Sequence, residues 1–155
     1  MAAVVSLMAK RNGSPILVFQ GLLWPVTNAD FDTPSYLKYQ EGYFLTRDMM
    51  KWFWDAYTTD PAERAHITAS PLLADITELA GLPPALVQVA EFDVLRDEGE
   101  AYAQKLNEAG VKVSCVRYEG MIHDWGLLNP LAESAGTHCA LRQMADELKK
   151  HLNVV

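Results

Sequence analysis

Two residues that could exchange a proton each follow a strand-like run. Asp93 comes just after Ala85-Leu-Val-Gln-Val-Ala90, within Glu91-Phe-Asp-Val-Leu-Arg-Asp-Glu98. His123 comes just after Lys112-Val-Ser-Cys-Val-Arg-Tyr118, within Gly120-Met-Ile-His-Asp-Trp125. A carboxylate can hold one imidazole nitrogen protonated, which leaves the other free to take a proton from a hydroxyl nucleophile. An acid and a later histidine at strand ends are what a Ser/Asp/His hydrolase carries downstream of its serine. No Gly-x-Ser-x-Gly occurs anywhere in the 155 residues. Ser134, in Glu133-Ser-Ala-Gly136, lacks the preceding glycine and a strand-to-helix setting. Ser14 opens a strand from the wrong end, and Ser6, Ser35, Ser70 and Ser114 read as structural.

For Asp93 and His123 to meet, the elements between them must form a strand–helix–strand unit. The strand Ala85–Ala90 is followed by a helix from about Asp97 to Ala109, with Asp97 and Glu98 suited to its positive end and Gly110 as its stop. The strand Lys112–Tyr118 comes next. A right-handed crossover brings the C-terminal ends of both strands to one sheet edge, where open α/β sheets bind ligands.

Upstream, Ala2–Lys10 reads as a helix stopped by Asn12-Gly13. The continuous apolar run Ile16–Leu23 predicts a strand buried on both faces. Thr46 is placed to cap a helix over Arg47–Tyr57, and residues 58–84 read as mostly irregular. A final helix is expected to carry Leu141, Met144, Leu148 and Leu152 on one face. Alternating apolar strands and helices predict an α/β fold, with about three parallel strands and flanking helices.

Composition narrows the function classes. A net charge of −7 without a basic cluster argues against nucleic acid and anionic membrane surfaces as partners. No apolar run approaches the roughly 20 residues of a membrane span. The basic residues of the N-terminal segment follow its apolar part, the reverse of a secretory signal. Cys115 and Cys139 form no Cys-x-x-Cys pair and read as buried free thiols, which points to a cytoplasmic location. His66, His138 and His151 have no metal-ligand spacing, so neither a metal nor another cofactor is expected.

The segments Ser70-Pro-Leu-Leu-Ala74, Gly81-Leu-Pro-Pro-Ala-Leu-Val87, Glu91 to Ala103 and Tyr118-Glu-Gly-Met-Ile-His123 together resemble the C-terminal part of the hormone-sensitive-lipase-like esterases, which are α/β hydrolases. The resemblance extends back through Gly42-Tyr-Phe-Leu-Thr46 and Trp24-Pro-Val-Thr27. It implies that Asp93 is the triad acid, that His123 is the triad base, and that the chemistry is carboxylic ester hydrolysis of short acyl and small aromatic or alkyl esters. Asp124-Trp125 departs from the usual Gly-Phe after the histidine. Trp24, Tyr43, Phe44 and Trp125 are candidates for the substrate pocket, with plain core as the competing reading.

In that family a motif resembling Gly-Asp-Ser-Ala-Gly-Gly-Asn leads directly into a helix matching Ala2–Lys10. Residues 1–155 are therefore expected to be the C-terminal portion of a single α/β-hydrolase domain. The nucleophile, the oxyanion loop, the cap segment and the first strands would be missing. The isolated chain is expected to be inactive. An alternative is a non-catalytic remnant that associates, as a homo-oligomer or with a partner chain, through the exposed edge of strand 16–23.

Overall fold

A computed structural model describes residues 1–153. Helix α1 (Ala2–Asn12) ends at Gly13, which sits at φ 66° and closes it with backbone N–H bonds. Strand β1 (Gln20–Leu23) follows. A long excursion then carries α2 (Pro34–Lys38), α3 (Arg47–Tyr57), α4 (Pro61–Arg64), a 3₁₀ turn (Pro71–Leu73) and α5 (Ile76–Leu79). The chain returns as β2 (Ala85–Phe92), α6 (Arg96–Glu108), β3 (Val113–Ile122) and α7 (Ala135–Leu152).

The three strands form one parallel sheet in the order β1-β2-β3, as expected from the alternation of apolar strands and helices. β2 is central and mostly apolar, with Leu86 and Val87 fully buried. Its Ala85, Val87 and Val89 pack with Leu22, with Ala3 and Leu7 of α1, and with Tyr102, Ala103 and Leu106 of α6. On the opposite face, Ala90 packs with Trp125 and Ala140 of α7. A third cluster, made by Tyr36, Tyr39, Leu45, Met50 and Trp54 with Val94 and Leu95, folds the excursion over the C-terminal end of β2.

Several expectations need correction. The strand predicted over Ile16–Leu23 is only Gln20–Leu23, and Ile16 is 90% exposed. The pairing begins only where β2 begins: Gln20 pairs with Ala85, and the residues before Ala85 are Pro83 and Pro84, which have no N–H for a ladder. Conversely, β3 runs on past Tyr118 to Ile122, across an irregularity between Ala90 and Phe92 on β2. The last helix does carry Leu141, Leu148 and Leu152 together, but that face is exposed. The inward face is Thr137, Ala140, Gln143 and Met144, because buried Gln88 of β2 meets it with hydrogen bonds from its amide to the Ala140 carbonyl and to Gln143 Oε1. Both cysteines are exposed rather than buried, Cys115 because β3 is an edge strand among the described residues.

Candidate functional site

Asp93 lies one residue beyond β2, where the chain turns into α6. The turn is held from within: Asp93 Oδ1 accepts the Leu95 backbone N–H at 3.0 Å, and the Asp93 carbonyl accepts that of Arg96. Asp93 is 1% exposed, so its remaining oxygen needs a partner in the protein interior. That partner is His123, one residue beyond β3, whose Nδ1 is 2.8 Å from Asp93 Oδ2. A single helix joins the two strands, so the parallel register alone brings both side chains to one edge.

This arrangement can orient an imidazole and stabilise its protonated form. The opposite nitrogen, Nε2, is 3.4 Å from Asp124 Oδ1, too long for a good hydrogen bond. Asp124 itself adopts φ 59°, a conformation that Asp tolerates better than most residues.

Of the candidate pocket residues, Trp24 stands beside the histidine, its ring edge-on to His123 with centroids 6.0 Å apart. Trp24 has φ 34° and is fixed by its N–H to the Gln88 carbonyl, which continues the β1–β2 ladder past the strand end. Trp125 is fully buried and packs 4.6 Å from Trp24, so it forms the floor beneath that ring rather than a wall open to a ligand. Tyr43 stacks on Phe92, the neighbour of Asp93, at 5.1 Å. Phe44 is half exposed at φ 74° and lies in the turn before α3.

The competing residues have other duties. Asp97 accepts the Ser35 backbone N–H at 2.8 Å and pairs with Arg96, so it does not take Asp93's place beside His123. Ser70 Oγ donates to the Arg64 carbonyl, and Ser134 caps α7. His66 bonds Thr68 and His151 stacks on Phe19. Among the described residues no group of His, Cys, Asp and Glu has the arrangement of a metal site.

One residue near the site was not singled out by its sequence context. Glu98 sits in the first turn of α6, yet it is 1% exposed. Its burial, together with nearby Asp93 and Asp30, pushes its carboxyl up to about 8, against the two backbone N–H bonds that favour the ionised form. Acidic residues in a first helical turn ordinarily face water and complement the dipole. The contrary signal was periodicity: 98, 102 and 106 share the inward stripe with Leu95 and Ala103.

An apolar cavity of about 560 Å³ opens elsewhere, between Val4, Val5 and Met8 of α1 and Phe53 and Trp54 of α3. Neither Asp93 nor His123 lines it.

The chain matches a known family, described as the alpha/beta hydrolase fold, over residues 1–127. It is 36% identical over 133 residues to an ethyl acetate hydrolase of Pseudomonas putida, covering 86% of this chain and 41% of that protein. It is 38% identical to the carboxylic ester hydrolase LipN of Mycobacterium tuberculosis, covering 95% of this chain and 38% of the relative. The crystal structure of a thermostable esterase from Pseudomonas putida superposes with a TM-score of 0.96 at 64% identity, covering 97% of this chain and 47% of that one. The chain thus spans less than half the length of each of these relatives. The order of its strands, the turns that end them and the sequence match agree: this chain belongs to the α/β-hydrolase fold family.

Proposed function

We propose that residues 1–155 are the acid- and base-bearing C-terminal portion of a single α/β-hydrolase domain. That domain would be a serine carboxylic ester hydrolase of the hormone-sensitive-lipase-like type. The observation that carries this reading is the 2.8 Å contact between His123 Nδ1 and buried Asp93 Oδ2 at the ends of adjacent parallel strands. His123 would take the proton of a serine through Nε2 as the serine attacks the ester carbonyl, then return it to the leaving alcohol. Asp93 would hold the ring and stabilise its charge. Trp24 would wall the site, with Trp125 supporting it from beneath and Tyr43 and Phe44 farther along the same end. Esters of short acyl groups are the substrate class, in keeping with the ethyl acetate hydrolase among the relatives. The reaction needs no organic cofactor or metal.

The 155 residues contain no Gly-x-Ser-x-Gly, so the nucleophile has to come from other residues. Loss of a triad serine costs about a million-fold in turnover. The purified chain, with its intact mass recorded, should therefore hydrolyse p-nitrophenyl acetate no faster than its His123→Ala variant. Adding the N-terminal half of the Pseudomonas putida esterase should restore turnover that depends on His123. His123-dependent turnover by the chain alone would mean that one of its own serines is activated. Mixed halves that associate but stay inactive would refute the acid–base assignment.

A second reading rests on exposed surface. β1 pairs only with β2 among the described residues, and Val5, Met8, Phe53 and Trp52 are exposed apolar side chains. An open strand edge beside apolar surface drives association. This reading makes the chain a homo-oligomer joined through the β1 edge, and light scattering on the purified chain would find more than one copy per particle. A monomer at about 100 µM would rule it out.

A further inference from the structure

Glu98 is the buried ionisable group that the proposed chemistry does not use, and its surroundings are built around it. Its Oε1 accepts the backbone N–H of Thr27 at 2.5 Å and of Asn28 at 3.1 Å. Thr27, itself fully buried, returns a bond from Oγ1 to the Glu98 carbonyl at 2.9 Å. The segment so held begins at Trp24, whose ring stands beside His123. The approach is close: a Cβ on Gly99, the next residue, would come within 3.5 Å of Pro25. On the other side, α6 begins at the turn that carries Asp93.

We infer that Glu98 is a positioning residue: it clamps the Trp24–Asn28 segment to the start of α6, so that the Trp24 wall and the Asp93–His123 pair keep one fixed relation. The inference rests on the proposed role of that pair. Burial distinguishes Glu98 from an ordinary surface cap. Its Oε2 is buried without a hydrogen-bond partner, and so is the hydroxyl of Tyr36 on α2, which faces the same carboxyl. Burial first, then Glu98, Asp93 and Asp30, push the Tyr36 hydroxyl far above the usual phenol range. The groups that face Glu98 are thus Asp30 from the loop after β1, Tyr36 from α2 and Asp93 from the turn after β2, none of them a cation. Arg96, on the same helix, is engaged by Asp97, Tyr39 and the Glu91 carbonyl. A neutral carboxyl satisfies this pocket: Oε1 accepts the two N–H groups while the proton rests on Oε2 toward Tyr36. Ionisation adds a second negative charge near Asp93, with no cation among these groups to offset it.

The native chain can therefore be tested without disrupting it, by following assigned amide, indole and imidazole NMR signals from pH 6.5 to 9.5. The Thr27 and Asn28 amides should shift with a common midpoint near pH 8. The Trp24 indole and the His123 ring should show a step at that same midpoint. In Glu98→Gln, which keeps the shape and the acceptor oxygen, the fold should be retained and the step should vanish from all four signals. In Glu98→Asp, which is one methylene too short to reach, the Thr27 and Asn28 amides should lose at least tenfold of their hydrogen-exchange protection. Trp24 and His123 signals that stay still while the Thr27 and Asn28 amides titrate would overturn the inference. So would a step that persists unchanged in Glu98→Gln. None of these readouts requires ester turnover, so a failure here is separate from a failure of the mixed-half assay.

Discussion

Gly99→Ala sets two effects of similar size against each other, and the structure decides the sign. Gly99 lies in the interior of α6, where replacing Gly by Ala gains about 1 kcal/mol of helix propensity. The new Cβ, however, would sit 2.8 Å from Cγ1 of Val89. Val89 is 1% exposed on the central strand, and its short branched side chain is packed in and restricted at χ1, so it has little room to move away. Pro25 closes the other side at 3.5 Å. Overpacking of this kind costs about 1–3 kcal/mol. The net effect is a loss of about 1 kcal/mol, which lowers Tm by about 2–4 °C in a chain of this size. Gly136→Ala serves as the control. Its Cβ would also be tight, at 3.0–3.2 Å, but against the flexible side chain of Met121, which can move. Thermal unfolding by circular dichroism should therefore show Gly99→Ala below wild type and Gly136→Ala at or above it. A Gly99→Ala protein with a raised Tm would refute the claim that the contact between α6 and β2 is rigid.

Glu98 makes stability depend on pH in a defined direction. Its carboxyl is raised from 4.5 to about 8 in the folded chain, so the folded state holds the extra proton. The resulting stabilisation is fully present below about pH 4.5 and is lost as pH rises through 8. Denaturant titrations from pH 5 to 9 should show wild type losing stability relative to Glu98→Gln as pH rises; parallel curves would contradict this. Thr46 Oγ1 accepts the Met49 N–H as the N-cap of α3, so Thr46→Ala should cost about 1 kcal/mol by urea unfolding. Trp125→Ala should cost about 3–5 kcal/mol because a fully buried ring is lost. Trp125→Phe should cost clearly less, since the indole N–H has no partner to lose.

The sequence was most legible where one residue type has one use. Thr46 before an apolar helix, Gly110 after α6 and the mostly apolar run of β2 each have a local physical cause, and each falls where it was expected. The meeting of Asp93 and His123 was also readable, because a strand–helix–strand unit fixes which ends share an edge. Features that depend on a distant partner were not readable. Nothing within Ile16–Phe19 says that Pro83 and Pro84 lie opposite and withhold a ladder. The leucines of α7 mark a face but not its direction, and buried Gln88 draws the more polar side inward. Glu98 resembled its neighbour Asp97 in sequence, and only packing separates a carboxyl that faces Arg96 from one that faces Tyr36.

The short path between the two strand ends also bears on timing. Asp93 and His123 are 30 positions apart and are brought together by one crossover through α6. By contrast, β1 reaches β2 only after the far longer stretch from Trp24 to Pro84. Closing the shorter loop costs less chain entropy, and contacts of low sequence separation form faster. The contact between Asp93 and His123 is thus a product of a local strand–helix–strand unit, and it can be complete before the sheet is. Pulse-labelled exchange during refolding would see amides of β2 and β3 protected ahead of those of β1.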